Sequence, residues 1–225
     1  MLPGFEKDEV DFLSLLSEAN RRRVLENSIK AEYLPGAIAY HPEMPPRAFV
    51  LDHGLARAYV SVPDGRQATC AFAHSTELIG GTAIISHLPR IVIQVVVRST
   101  LTSLDLPRVR KLAVVESEVT TAVAMHLAVL VRTSFRLIAV RTLGDIQQRL
   151  AYDLLDRACR SQLEVGRLEA RATHGDLADS IGSAREVVGR ALSRLREGGI
   201  VESAPGLVRV VDPLRLATMV RAFAF

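Results

Sequence analysis

Residues 182–196 read Gly182-Ser183-Ala184-Arg185-Glu186-Val187-Val188-Gly189-Arg190-Ala191-Leu192-Ser193-Arg194-Leu195-Arg196. The spacing predicts a helix. Ser183 is a good N-cap, because its hydroxyl accepts a hydrogen bond from a free amide of the first turn. Glu186, three residues on, completes a capping-box pattern. At roughly 100° per residue, Val188, Ala191, Leu192 and Leu195 share one arc, and Arg185, Glu186, Gly189, Arg190 and Ser193 share the other. One face is apolar and packs inward; the other is short, polar and arginine-bearing. Gly189 lies within the polar arc. It costs about 1 kcal/mol of helix propensity against Ala, and its bare backbone admits close approach of a partner.

The flanking segments fit this reading. Thr173-His174-Gly175-Asp176 opens a helix with a Thr cap and an acid in the first turn. Leu177, Ala178 and Ile181 form its apolar stripe, and Ala178 is small enough for a second helix to cross closely. Gly182 supplies the turn between the two helices. Gly198-Gly199 then ends the arginine-bearing helix. Ile200–Ser203 and Leu207–Val211 read as strands around Ala204-Pro205-Gly206, a β-hairpin wing. Helix-turn-helix plus wing is more specific than either part alone.

Gly182 to Arg190 resembles the recognition helix of the Crp/Fnr transcription regulators, the cyclic-AMP receptor protein type. The resemblance implies that Arg185, Glu186 and Arg190 contact bases and adjacent phosphates. The chemistry agrees: arginine donates a bidentate pair to guanine O6/N7, and glutamate accepts from cytosine N4. The candidate DNA-binding set is Arg185, Glu186, Gly189, Arg190 and Ser193, with Thr173 and Ser183 at the two caps. For Glu186, capping and base contact compete for one carboxylate, and the alternative stays open here.

The chain has 225 residues, enough for two modest domains, and is 48% hydrophobic. Net charge is +3, so basicity serves nucleic acid only where it is concentrated, as in this helix. Lysine occurs only at positions 7, 30 and 111; the other cations are arginine. The N-terminus has no basic–apolar–small signal pattern. No uninterrupted apolar run approaches about 18 residues. A soluble, cytoplasmic protein without a membrane partner is expected. Cys70 and Cys159 are too few and too far apart for a disulfide framework or a cysteine metal site.

Residues 5–30 are helical in pattern, with Phe12, Leu13, Leu15, Leu16, Val24 and Leu25 apolar; Arg21-Arg22-Arg23 reads as a solvated turn. From Ala31 to about Leu106 the pattern changes to short strands between turn signals. Ala48–Leu51, Leu55–Val62, Gln67–Ala73 and Ile91–Leu101 are the strand runs, and Asp64-Gly65 is a hairpin signal. Such a series predicts a small barrel or jelly roll. It is similar to the family's cyclic-nucleotide-binding β-roll. In cyclic-nucleotide binders of the family, a Gly-Glu pair opens a short helix and the Glu holds the ribose 2′-hydroxyl. An Arg followed by Ser, Thr or Ala holds the phosphate. Here the stretch is Leu78-Ile79-Gly80-Gly81-Thr82 through Pro89-Arg90-Ile91. Gly81 stands at the Glu position, and Ile91 follows Arg90. Cyclic AMP is therefore not the expected effector. The effector pocket implied by the resemblance comprises Gly80, Gly81, Arg90, Thr133 and Ser134. His41, His53, His74 and His87 lie in the same region without attachment motif or short metal spacing, so no haem and no metal are expected.

Leu112 to Arg141 reads as one long helix without Gly or Pro. Val123, Leu127, Leu130, Ser134 and Leu137 follow the 4-3-4-3 spacing of a coiled-coil seam, and the family dimerises through a helix in this place. Gly144 breaks the helix and Asp145 caps the next. Ile146 to Cys159 is amphipathic, with Leu150, Leu154, Leu155 and Ala158 as its core face. Pro213 opens a last helix at N1. There is no Gly-rich nucleotide loop, no Gly-x-Ser-x-Gly and no His-Glu-x-x-His, so no enzyme is expected.

The sequence thus predicts an α+β chain. A cyclic-nucleotide-binding-like β-roll (double-stranded β-helix, or jelly roll) spans 1–111, a dimerisation helix and hinge 112–143, and a winged helix-turn-helix 144–225. It predicts a homodimeric regulator binding double-stranded DNA, with no cofactor and an effector that is unknown or absent. The resemblance also allows RNA polymerase as a partner. Two other readings stay open: a cyclic-nucleotide- or haem-responsive regulator of the same fold, or a sensor whose winged helix makes protein contacts.

Overall fold

The computed structural model describes residues 11–63, 67–87 and 90–222, with backbone only for Glu164 and Val165. The chain forms two compact units, residues 1–132 and 133–225.

In the first unit, a 3-10 turn at Leu13–Leu15 precedes α1 (Glu18–Leu25). The strands follow: β1 (Ile29–Tyr33), β2 (Ile38–Tyr40), β3 (Phe49–His53), β4 (Leu55–Ser61), β5 (Gln67–His74) and β6 (Leu78–Ile79). Then come α2 (Thr82–Ile85), β7 (Val92–Val95), β8 (Ser99–Ser103), α3 (Leu106–Val115) and the start of α4 (Ser117–Leu143). The strands make two antiparallel four-stranded sheets, in the orders β1-β8-β3-β6 and β2-β7-β4-β5. Phe49, Leu51 and Leu101 from one sheet and Ala39, Ala56, Ile93 and Val95 from the other share one buried cluster. This is the expected jelly roll. Strand β3 is buried on both faces. Alternate residues point oppositely, so Phe49 and Leu51 enter the inter-sheet core while Ala48 and Val50 enter a second cluster. That second cluster seats the helices, with Phe12, Leu16, Val24, Val109, Leu112, Val119 and Val123. Each such large apolar side chain contributes about 1.5–3 kcal/mol on burial.

Several expectations are corrected. Residues 11–30 are not one helix: Ser17 caps α1 by accepting from the Asn20 amide, and Ile29 already lies in β1; residues 5–10 lie outside the described residues. The run Ile91–Leu101 is two strands, because the chain crosses from one sheet to the other at Val96–Arg98. Its β-branched composition suits both halves and does not mark the corner. β4 and β5 pair from Leu55–His74 out to Ser61–Gln67; the expected turn residues Asp64-Gly65 lie outside the described residues.

The long helix is also two. Asp105 caps α3, accepting from the Arg108 amide at 3.2 Å, and the helix ends at Glu116, whose φ/ψ of −110°/102° is extended. No Gly or Pro marks this break. The acids around it are held by α1: Glu116 pairs with Arg23 at 2.6 Å, and Glu118 accepts from the Ser17 amide and hydroxyl and from the Asn20 amide group. Those hydrogen bonds, the Asn20 side chain's first, hold the Glu118 carboxyl below its ordinary range.

The face expected as the seam is not the exposed face of α4. Val123 is fully buried in the first unit's own core and Leu127 packs against it, while Leu137 is buried as well. The stripe left exposed is Ala124, Ala128, Val131, Phe135 and Ile138, again spaced 4-3-4-3. Val131, Phe135 and Ile138 are 52, 59 and 61% exposed. By length and composition α4 also qualifies as a bilayer span, although no uninterrupted apolar run in it is that long. The burial of Val119, Ala122 and Val123 against Phe12 and Leu16 accounts for the apolarity of its first half by protein packing.

The second unit continues with α5 (Ile146–Val165), β9 (Glu169–Arg171), α6 (His174–Ile181), α7 (Arg185–Glu197), β10 (Val201–Ala204), β11 (Leu207–Val210) and α8 (Pro213–Arg221). Asp145 and Gln148 form a reciprocal capping box that starts α5. Its predicted core face is fully buried: Leu150, Leu154, Leu155 and Ala158. β9 joins the hairpin as a third strand, in the order β10-β11-β9; three residues of Glu-Ala-Arg carry no strand signal of their own.

Candidate nucleic-acid interface

The helix-turn-helix is built by capping at both ends of α6. Thr173 Oγ1 accepts from the Asp176 amide at 3.2 Å, and the Thr173 amide and hydroxyl both donate to Asp176 Oδ2 at 2.8 Å. These bonds hold the Asp176 carboxyl below its ordinary range, the backbone bond most. They also use the Thr173 hydroxyl proton. At the other end, Gly182 takes the left-handed conformation at φ 60°, and the Ser183 amide donates to the Ala178 carbonyl at 2.9 Å. A side chain at Gly182 would be strained there.

This closure moves the next cap. Ser183 does not cap α7. Ala184 is the N-cap, with extended dihedrals and no side-chain hydrogen bond. The Ser183 amide closes α6, and α7 starts one residue later than the sequence pattern suggested. The consequence falls on Glu186. No capping box forms, so its carboxylate, exposed in the first turn, is not engaged by a cap.

The two faces of α7 are as the periodicity predicts. Val188, Ala191, Leu192 and Leu195 are buried. Arg185, Glu186 and Arg190 are exposed on one arc, with Gly189 and Ser193 half-buried between them; Arg194 and Arg196 are exposed near the C-terminal end. None of these four arginines has an ion-pair partner among the described residues. On the wing, by contrast, Arg209 is taken by Glu169 and Glu202, both at 3.3 Å. The hairpin pairs Ala204 with Leu207 across Pro205-Gly206, one residue tighter than the loop expected.

Gly189 faces the start of α6. A Cβ built there would stand 3.8 Å from His174 Nδ1 and touch nothing closer. Alanine therefore fits, and Gly189→Ala is expected to raise stability by about 1 kcal/mol through helix propensity. Urea unfolding monitored by circular dichroism measures it; a loss of stability would show that the space is not free.

The residues expected around an effector fall in both units: Gly80, Gly81 and Arg90 in the first, Thr133 and Ser134, both half-buried, in the second. Gly80 takes φ 76° against the Arg47 carbonyl, and Arg90 is exposed; Leu88 and Pro89 lie outside the described residues. Gly81 is buried at the start of α2. A Cβ there would meet Leu78 Cδ2 at 2.9 Å and His126 Cδ2 at 3.0 Å. His126, from α4, is a residue the sequence reading missed. Burial pushes its pKa down to about 4, and its Nδ1 has no partner. Its only signal was a histidine on the inward face of an apolar helix. Arg57 was missed too. It is fully buried in β4, donating to Thr69 Oγ1 at 2.7 Å and to the Gln67 and Gln94 side chains, with the Tyr59 ring 4.5 Å away. Among the described residues no group of three or more His, Cys, Asp or Glu side chains is placed to hold a metal ion.

Residues 148–219 match the Crp-like helix-turn-helix domain family. No curated protein is similar enough in sequence to count as a relative. Solved structures are similar over nearly the whole chain. One is a protein of Eubacterium rectale described as a transcriptional regulator of the Crp/Fnr family. It is 20% identical with a TM-score of 0.59, over 96% of this chain and 100% of that one. The c-di-GMP-responsive global regulator CLP of Xanthomonas campestris is 17% identical, TM-score 0.54, over 86% and 99%. FixK2 of Bradyrhizobium japonicum is 20% identical, TM-score 0.52, over 88% and 99%. The chain carries a Crp-like helix-turn-helix DNA-binding domain, and its fold is that of the Crp/Fnr transcription regulators.

Proposed function

We propose that the protein is a homodimeric, operator-specific transcription regulator that binds an inverted-repeat DNA site in the cytoplasm. Residues 1–111 act as a sensor domain, 112–143 as dimerisation helix and hinge, and 144–225 as the DNA reader. The observation that carries the reading is the polar arc of α7, where Arg185, Glu186 and Arg190 are exposed together beside a capped turn and a wing. Exposed arginines without acid partners are free to neutralise phosphates and to reach base edges. Glu186, relieved of capping, is free to accept from a cytosine. Gly189 and Ser193 keep the arc low enough for groove entry. Thr173 and Ser183 flank it as phosphate ligands; Ser183 has its hydroxyl free, whereas Thr173 must first release its proton from Asp176.

The exposed stripe of α4 supplies the dimer seam, and a two-fold dimer places half-site centres about 10 bp apart or a multiple of that. RNA polymerase is the partner through which such a regulator acts. The filled position at Gly81 favours an effector other than cyclic AMP, or none. The test is DNA binding by fluorescence anisotropy at two salt concentrations, on selected operator and on random DNA. Arg185→Ala or Glu186→Ala should each cost about 1–3 kcal/mol on the operator and relax preference at one base position per half-site. Wild-type ratios of operator to random binding in both variants would remove the reading face. Salt-insensitive association would instead favour a winged helix used for protein contact.

A further inference from the structure

We propose that the second unit holds a site for a small phosphate monoester, in a recess between the end of α4, one face of α5 from Arg149 to Arg160 and the end of α6. The recess has a volume of about 440 Å³, within the range of small-molecule sites. Arg141, Arg149, Arg157 and Arg160 line it, with Asp153 and Asp156. The aspartates are already committed. Arg157 donates to Asp153 and Arg160 to Asp156, each one helical turn apart, and the other oxygen of Asp153 accepts from the Ser180 hydroxyl at 2.6 Å. Arg141 and Arg149 are left without a carboxylate among the described residues.

Both are held in place. The Arg141 guanidinium lies over the Tyr152 ring, 5.5 Å from its centroid. Arg149 reaches the turn between α6 and α7, where its Nη1 stands 3.9 Å from the Cβ position of Gly182. Its Nε is buried with no hydrogen-bond partner, a costly state for a donor on a charged group. A guanidinium fork matches the oxygens of a phosphate. Four arginines against two aspartates leave two positive charges, which a phosphate monoester, carrying about −1.5 to −2 at neutral pH, balances. A duplex backbone carries one charge per phosphodiester and is too stiff to follow the recess inward. The bound molecule would tie the start of α5 to the α6–α7 turn. An effect on operator binding rests on the function proposed above, whereas the binding itself does not.

The test is calorimetric titration of inorganic phosphate and of glycerol 3-phosphate into the full-length protein, in chloride buffer at constant ionic strength. One site per chain of submillimolar affinity is expected. Arg149→Gln and Arg141→Gln should weaken it by about tenfold or more, Arg149→Lys by less, and Arg22→Gln, at an exposed arginine of α1 paired with Glu18, not at all. The phosphate-free melting temperature of Arg149→Gln should not fall. No heat of binding, or wild-type affinity in both glutamine variants, overturns the site. So does a lowered melting temperature with unchanged affinity, which assigns Arg149 to the fold. A salt slope of DNA binding reduced by about one in Arg149→Gln would give the recess to the DNA backbone and overturn the small-molecule reading. Failure of all DNA binding would leave the phosphate titration readable.

Discussion

Replacing Phe135 with Asp is expected to give a folded monomer that no longer binds its operator. Phe135 is 59% exposed at the middle of the stripe from Ala124 to Ile138. Large apolar side chains at heptad spacing, exposed along one face of a helix, need a partner helix. In a two-fold dimer each residue of the seam counts twice. Removing a buried Phe costs about 3–5 kcal/mol, so two copies cost at least about 6 kcal/mol. That is roughly four decades in the dimer dissociation constant, before the repulsion of two facing carboxylates. Sedimentation velocity at micromolar concentration reads the outcome, and anisotropy on the inverted repeat reads its consequence. Val123→Asp is the contrasting variant: Val123 lies in the core of its own unit, so a charge there should unfold the chain rather than dissociate it. A Phe135→Asp protein that sediments as a dimer would sink the seam.

The second large effect lies at Gly81. Restoring the glutamate that cyclic-nucleotide binders carry there should not restore cyclic-AMP binding; it should destabilise the sensor. The Cβ alone comes within 3.0 Å of Leu78 and His126, and overpacking of this kind costs about 1–3 kcal/mol. The carboxylate then adds the cost of a buried charge, beside an imidazole whose pKa of about 4 keeps it neutral. Gly81→Ala isolates the steric part. In the wild type, two polar partners are missing, the ribose acceptor at Gly81 and the small residue at Ile91. Each unpaired buried group costs about 1–3 kcal/mol, enough to move a micromolar site to about millimolar. A ligand shifts a conformational equilibrium only through differential affinity, so cyclic AMP should not alter operator binding. Calorimetric titration of the wild type, with operator binding measured beside it, decides. Micromolar cyclic AMP affinity with a tenfold gain in operator binding would show the cassette to be functional, and a stable Gly81→Glu protein would show the pocket to be open.

The local structure was legible in the residues alone. The faces of α7, the glycine turn before it, the Thr173 and Asp145 caps and the core face of α5 follow from hydrogen bonds and periodicities that span a few residues. Those recur in any context, so they are legible one residue at a time. Three features needed the folded chain. The break at Glu116 lies where its carboxylate meets Arg23, 93 residues away. The corner that divides Val92–Val95 from Ser99–Ser103 exists because the chain changes sheets there. Most consequentially, the apolar residues of α4 outnumber what one face can hold. Period alone marks two adjacent 4-3-4-3 stripes, and it is the packing of Val123 and Leu127 onto the first unit's core that leaves Ala124 to Ile138 as the free one. Competition between neighbouring faces for one core is a property of the folded chain, because burial is settled by what stands opposite and not by spacing along the helix.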